Sequence, residues 1–204
     1  MIPVSNRNRR LLVLLAAALA CRSQPRAETT ASTQGSVAWP TPPDWKQEAF
    51  SLPPDFAPSF PFHGREELRF APGFYQTAAA DYWSYDIAWL IDSAPAIDSA
   101  TVSRALSSYF RGLSQAVGGA KYHFDSTRFA AQLSSAGSGP ETRLIGQVMS
   151  YDPFTTGLPL VLNVEAESRR CSGNSAILLL LSPQPRGDSV WAALRRTAAG
   201  FRCA

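Results

Sequence analysis

The chain has 204 residues, 45% of them hydrophobic and 11% aromatic, which is enough for one domain with a substantial core and too apolar for a disordered segment. Its net charge of +3 comes from the leader: Arg7, Arg9 and Arg10 precede the first apolar run, and the other Lys and Arg balance the 16 Asp and Glu. A neutral mature chain lacks the cationic surplus that nucleic acid or an anionic lipid surface requires, so neither is expected as an electrostatic partner.

Residues 1–20 read as a signal peptide. The arginines are followed by the apolar run Leu11–Ala20, and Ala18 and Ala20 form an A-x-A cleavage pattern. About ten apolar residues are too few for a helix to cross a bilayer, which takes ~20. Cys21 follows at once. Ala18-Leu-Ala-Cys21 resembles the lipobox of bacterial lipoproteins, in which the cysteine is lipidated and becomes the new N-terminus. It departs from the usual form, with Ala18 where Leu is commonest and Leu19 where a small residue is usual. Cys21 is the expected lipidation site and membrane anchor, with simple secretion as the alternative. Residues 21–44, rich in Ser, Thr, Gln, Pro and Ala, read as a flexible linker with a reach of roughly 25–30 Å.

Residues 45–204 read as a single α+β domain. From Trp45 to Pro72, aromatic residues alternate with Pro53, Pro54, Pro58 and Pro61. Proline removes donors and fixes φ, so an extended surface segment pinned by rings is expected. Glu66–Ala71 alternates charged and apolar residues, as a half-exposed strand does. In Tyr82–Ile91, Trp83, Tyr85, Ile87, Trp89 and Ile91 recur with period two, which predicts a strand with one face in the core. Asp98 can cap a helix whose stripe is Val102, Leu106, Tyr109, Leu113 and Val117, ended by Gly118-Gly119. Four more strands are expected: around Phe129–Leu133, over Leu144–Tyr151, over Leu160–Ala166 and over Ala176–Leu181. The last is apolar on both faces, as a central strand is. A final helix, capped by Asp188, carries Trp191, Leu194 and Ala198. Short turns between the later strands imply antiparallel pairing. The expected fold is therefore α+β: an antiparallel sheet of about six strands with two helices packed on one face.

Cys171 and Cys203 are expected to form a disulfide in an exported protein, contributing about 3–4 kcal/mol in the chain-entropy model. Neither has a C-x-x-C partner, so no metal is expected there. His63 and His123 are the only histidines. No H-E-x-x-H, G-x-S-x-G, P-loop or dinucleotide motif is present, so no cofactor or catalytic residue is assigned. Strand parity places Ser84, Asp86, Arg128, Gln132, Asn163 and Glu165, with Arg69 beside them, on the sheet face away from the helices. That face is the candidate ligand face, bordered by the aromatic segment Phe50–Phe62 and suited to a small polar ligand or an envelope protein.

Three segments carry a resemblance: Leu52-Pro-Pro-Asp-Phe-Ala-Pro58, Gly64-Arg-Glu-Glu-Leu-Arg-Phe-Ala-Pro-Gly-Phe74 and Tyr82-Trp-Ser-Tyr85. In these the chain, from Trp45 onward, is similar to a group of exported bacterial proteins of unknown function. The resemblance implies export and supplies no catalytic residue. At fold level the domain also resembles the PsbP/Mog1-like sandwiches, which serve mainly as assembly and interaction modules. The expected function is a non-enzymatic, lipid-anchored binding or accessory module of the cell envelope. The alternative is a small envelope hydrolase using His123, Asp125 or Asp86.

Overall fold

The computed structural model describes residues 37–93, 95–137 and 142–203. The expected signal peptide, Cys21 and most of the expected linker lie outside the described residues. The elements in order are β1 (Val37–Ala38), β2 (Lys46–Leu52), β3 (Gly64–Phe70), β4 (Tyr85–Ile91), α1 (Ser99–Gly118), β5 (Ala130–Ser135), β6 (Arg143–Tyr151), β7 (Pro159–Arg170), β8 (Ser175–Ser182), α2 (Ser189–Ala199) and β9 (Arg202–Cys203). Seven strands form one antiparallel sheet in the order β2-β3-β4-β8-β7-β6-β5, and β1 pairs with β9 in a separate ribbon. The α+β antiparallel architecture with two helices is as expected.

The sheet gains a strand because Lys46–Leu52, expected to be an extended segment laid on the surface, pairs along its whole length with β3. Its prolines all lie beyond the strand, so each ladder donor is present. With β2 outside it, β3 is buried on both faces from Glu66 to Phe70, not half-exposed. The β4 strand begins at Tyr85, because Trp83 adopts a left-handed φ of 52° that breaks the extended run. Trp83 is buried nonetheless, 5.0 Å from the Phe74 ring.

The two helices cover opposite faces of the sheet, which corrects the expectation of one face. The α1 face carries Ile87, Trp89, Leu162, Val164, Ile177, Leu179 and Leu181, packed with Val102, Leu106 and Phe110 of α1. The other face carries Leu180 packed with Trp191, Leu194 and Ala198 of α2. Beside α2, Trp39 and Phe201 of the β1–β9 ribbon cover Ala88, Ala176 and Leu178. Because β8 is apolar on both sides, each face needs a cover, and one helix on each supplies it. Burying Trp39 also brings residues 37–44 into the domain, so the folded part starts earlier than the expected boundary at Trp45.

Asp98 caps α1 by accepting from the Thr101 amide at 2.6 Å. The sheet edge at β5 is closed by α1: the amides of Ala131 and Leu133 donate to the hydroxyls of Ser107 and Ser103 at 2.9 and 3.1 Å. Such capping removes a template for strand addition. Cys171, in the β7–β8 turn, is disulfide-bonded to Cys203, tying the chain end after α2 to the sheet.

Candidate functional site

The residues expected to form a single ligand face are divided by α2. Ser84 and Asp86 are fully buried. The Ser84 hydroxyl lies 2.8 Å from that of Ser182, and neither carboxylate oxygen of Asp86 has a hydrogen-bond partner. Burial drives the Asp86 pKa well upward, against the opposing charge of Arg69 on the neighbouring strand. Arg69 is itself buried. Its guanidinium stacks 4.5 Å from the Trp39 ring and donates to the carbonyls of Trp39 and Leu68 and to Glu67. Arg128 lies on a 3-10 turn outside the sheet and pairs with Asp125. Gln132, Asn163 and Glu165 do share the open part of the α2 face. Asn163 there accepts from Gln147 at 3.0 Å and donates to the Gln184 carbonyl.

A groove of about 370 Å³ runs along that open part beside α2. Its charges, those of three arginines and two glutamates, are already paired with one another. Arg195 donates to both oxygens of Glu165, at 2.6 and 3.0 Å, and Glu167 is shared by Arg169 at 2.8 Å and Arg143 at 3.7 Å. These pairs offset all but one of the groove's positive charges, leaving little unsatisfied charge for a ligand.

Of the groups assigned to a hydrolase, only His123 and Asp125 are near each other, and both are exposed. The Asp125 carboxylate accepts from the amide and hydroxyl of Thr127, at 2.9 and 2.7 Å. These bonds, with the charges of Arg128 and His123, lower its pKa. His63 is exposed in the turn before β3, and Asp86 lies buried on the α2 face.

The opposite face holds a cavity of about 310 Å³ between β2–β4, α1 and the loops after β3 and β6. That size falls in the lower range of small-ligand sites. The floor is Leu68, Phe70 and Tyr85, whose rings at 70 and 85 stack at 5.6 Å. Phe74, Trp83 and Phe154 form one wall, with centroids 5.0 to 6.1 Å apart. Tyr109, Leu113 and Phe56 form the other, and Phe56 meets Tyr109 edge-on at 5.1 Å. Gly112 permits this wall, because a Cβ there would overlap the Phe56 carbonyl. Phe50, Tyr75 and Val117 line the mouth and are 40 to 48% exposed. Glu48 is the charged residue among the described lining residues.

Two polar groups near the floor lack full partners. The Tyr85 hydroxyl is buried without a hydrogen bond, and so is Oε2 of Glu66, whose Oε1 accepts from the Trp89 indole at 3.2 Å. Desolvation raises the Glu66 pKa to about 7, outweighing the lowering effects of the nearby Tyr109 hydroxyl and the Trp89 indole. Glu48 adds a smaller upward push. Burial likewise raises Tyr75, Tyr85 and Tyr109, and the neighbouring carboxyls add to it.

Asp152 buttresses the wall that carries Phe154. Its carboxylate accepts from the Tyr82 hydroxyl at 2.6 Å, the Thr156 amide at 2.7 Å and the Thr155 hydroxyl. Burial works to raise its pKa, but the bonds from Thr155, Tyr82 and Thr156 win and hold it well below the usual range.

Strand parity did not lead to this cavity. The aromatic segment Phe50–Phe62, expected to border the α2 face, lies against the α1 face, with Phe60 only 4.8 Å from Trp89. Two signals could have pointed there. Glu66 shares inward parity with Leu68 and Phe70, and the helix stripe continues to Val117, which is exposed.

No protein-family model matches the chain, and no curated protein does. Among solved structures it is similar to LpqN, a protein involved in cell envelope biogenesis of Mycobacterium tuberculosis. Identity is 15%, with 81% of this chain and 79% of that one covered, and the TM-score is 0.28. At that identity and score the likeness bears on neither activity nor location.

Proposed function

We propose that the protein is an exported, lipid-anchored binding module of the cell envelope, whose aromatic cavity receives an apolar group. Export and anchoring are supported by the arginine-rich start, the apolar run and the Ala18-Leu-Ala-Cys21 junction. The lipids expected on Cys21 contribute roughly 0.8 kcal/mol per buried methylene, enough for several chains to hold the domain firmly. Similarity to exported bacterial proteins of unknown function fits the same location.

The cavity carries the binding half of the reading. Its lining is ring and hydrocarbon, and the exposed Phe50, Tyr75 and Val117 converge on its mouth. Covering such surface is favourable by roughly 25 cal/mol per Å² removed from water, so an apolar occupant is stabilised where water is not. A polar ligand on the α2 face has weaker support, because Ser84 and Asp86 are buried and Glu165 is paired.

Two measurements test the proposal. Metabolic labelling with a fatty-acid analogue should mark the wild-type chain in the membrane fraction and leave Cys21→Ser unlabelled and released. The neutral fluorophore N-phenyl-1-naphthylamine should brighten with wild type and not with Leu113→Trp, which fills the cavity. An unlabelled wild type in the soluble fraction removes the anchor, and equal brightening by the two chains removes the cavity.

A further inference from the structure

We propose that the group taken up by the aromatic cavity is an organic ammonium, a tertiary or quaternary amine carried on an apolar chain. This rests on the cavity being the binding site and names what fills it. The first argument is the walls. Phe70, Phe74, Tyr75, Trp83, Tyr85 and Tyr109 surround one space, and a cation within ~6 Å of such rings is attracted by their quadrupoles. An alkylated ammonium also carries its own apolar surface into a site made of rings.

The second argument is charge. Glu48 is the charged residue among the described lining residues, and the nearest cation, Lys46, stands outside them at the rim. The field of Glu48 reaches Tyr75, Tyr109 and Glu66, each made harder to ionise by it. A cation is therefore drawn in by both rings and field, whereas an anionic headgroup is repelled.

The third argument is supplied by the chain itself. The Lys46 ammonium lies 5.7 Å over the Tyr75 ring, so the rim already holds an ammonium against an aromatic face. Lysine is strongly hydrated and stays at this exposed rim. A methylated ammonium sheds water more easily and can go deeper.

The test is isothermal titration calorimetry of the full chain with octyltrimethylammonium, octanol and octanoate, below their micelle concentrations. The cation should bind about tenfold more tightly than the alcohol, with octanoate weakest. Glu48→Gln should remove most of the cation's advantage and leave octanol unchanged. Competition by phosphatidylcholine vesicles, and not by phosphatidylglycerol vesicles, would support a lipid headgroup as the source. Competition by neither would support a soluble amphiphile. Octanol binding as tightly as the cation, with both lost in Leu113→Trp, overturns the ammonium and leaves the apolar cavity standing. No heat from any probe overturns both.

Discussion

Glu66 offers the sharpest test of the electrostatics beneath the cavity. It is fully buried on β3, facing Trp89 across the β3–β4 ladder, and its pKa is raised from 4.5 to about 7. Between those two values the folded chain keeps a proton that the unfolded chain has released. Stability therefore falls as pH rises. The contribution is complete below about pH 4.5 and is lost as pH climbs through 7, a change of about 3 kcal/mol at 1.36 kcal/mol per unit. Glu66→Gln keeps a carbonyl acceptor for the Trp89 indole and cannot ionise. Urea unfolding of the two chains should give similar stabilities at pH 4. At pH 8 the variant should be more stable by about 3 kcal/mol, a midpoint shift of about 1.5 M for an m-value of ~2 kcal/mol/M. A stability difference that stays constant from pH 4 to pH 8 would refute the account, because it would show that Glu66 does not titrate between the two states.

Other perturbations follow from the same structure. Asp152→Asn should cost about 2 kcal/mol at pH 7, since the amide cannot accept all the bonds from Tyr82, Thr155 and Thr156. Because the Asp152 pKa is lowered, the cost should shrink as pH falls below about 4, which thermal melts at stepped pH would show. Replacing Cys171 and Cys203 together by serine should lower stability by about 3–4 kcal/mol and Tm by about 10 °C, read by calorimetry. Gly112→Ala should destabilise by about 1–3 kcal/mol and weaken fluorophore binding, because the new methyl pushes on the Phe56 carbonyl and opens the cavity wall. Val117→Ala, by contrast, should leave urea stability within about 0.5 kcal/mol, since Val117 stands at the open mouth.

Local periodicity by itself determined most of the elements. The helix capped by Asp98 runs to Gly118, the strands around Leu144, Leu162 and Leu179 form where alternation, an unbroken apolar run and flanking turns place them, and the final helix carries Trp191, Leu194 and Ala198 inward. These are readable because a side chain's direction depends on backbone geometry over a few residues. The pairing of Cys171 with Cys203 was legible because they are the two cysteines within the expected domain. Tertiary structure decided what lies over each face. Parity says that Leu178 and Leu180 point away from Leu179, but not that α2 and the Trp39–Phe201 ribbon would cover them. Only packing could therefore show that Ser84 and Asp86 are buried. The cavity belongs to the same class of fact: Leu68, Trp83, Tyr109 and Phe154 come from separate segments and share a space that no window of sequence contains. Sequence distance is blind to such convergence, because long-range contacts are chosen by which apolar surfaces remain uncovered once the local elements have formed.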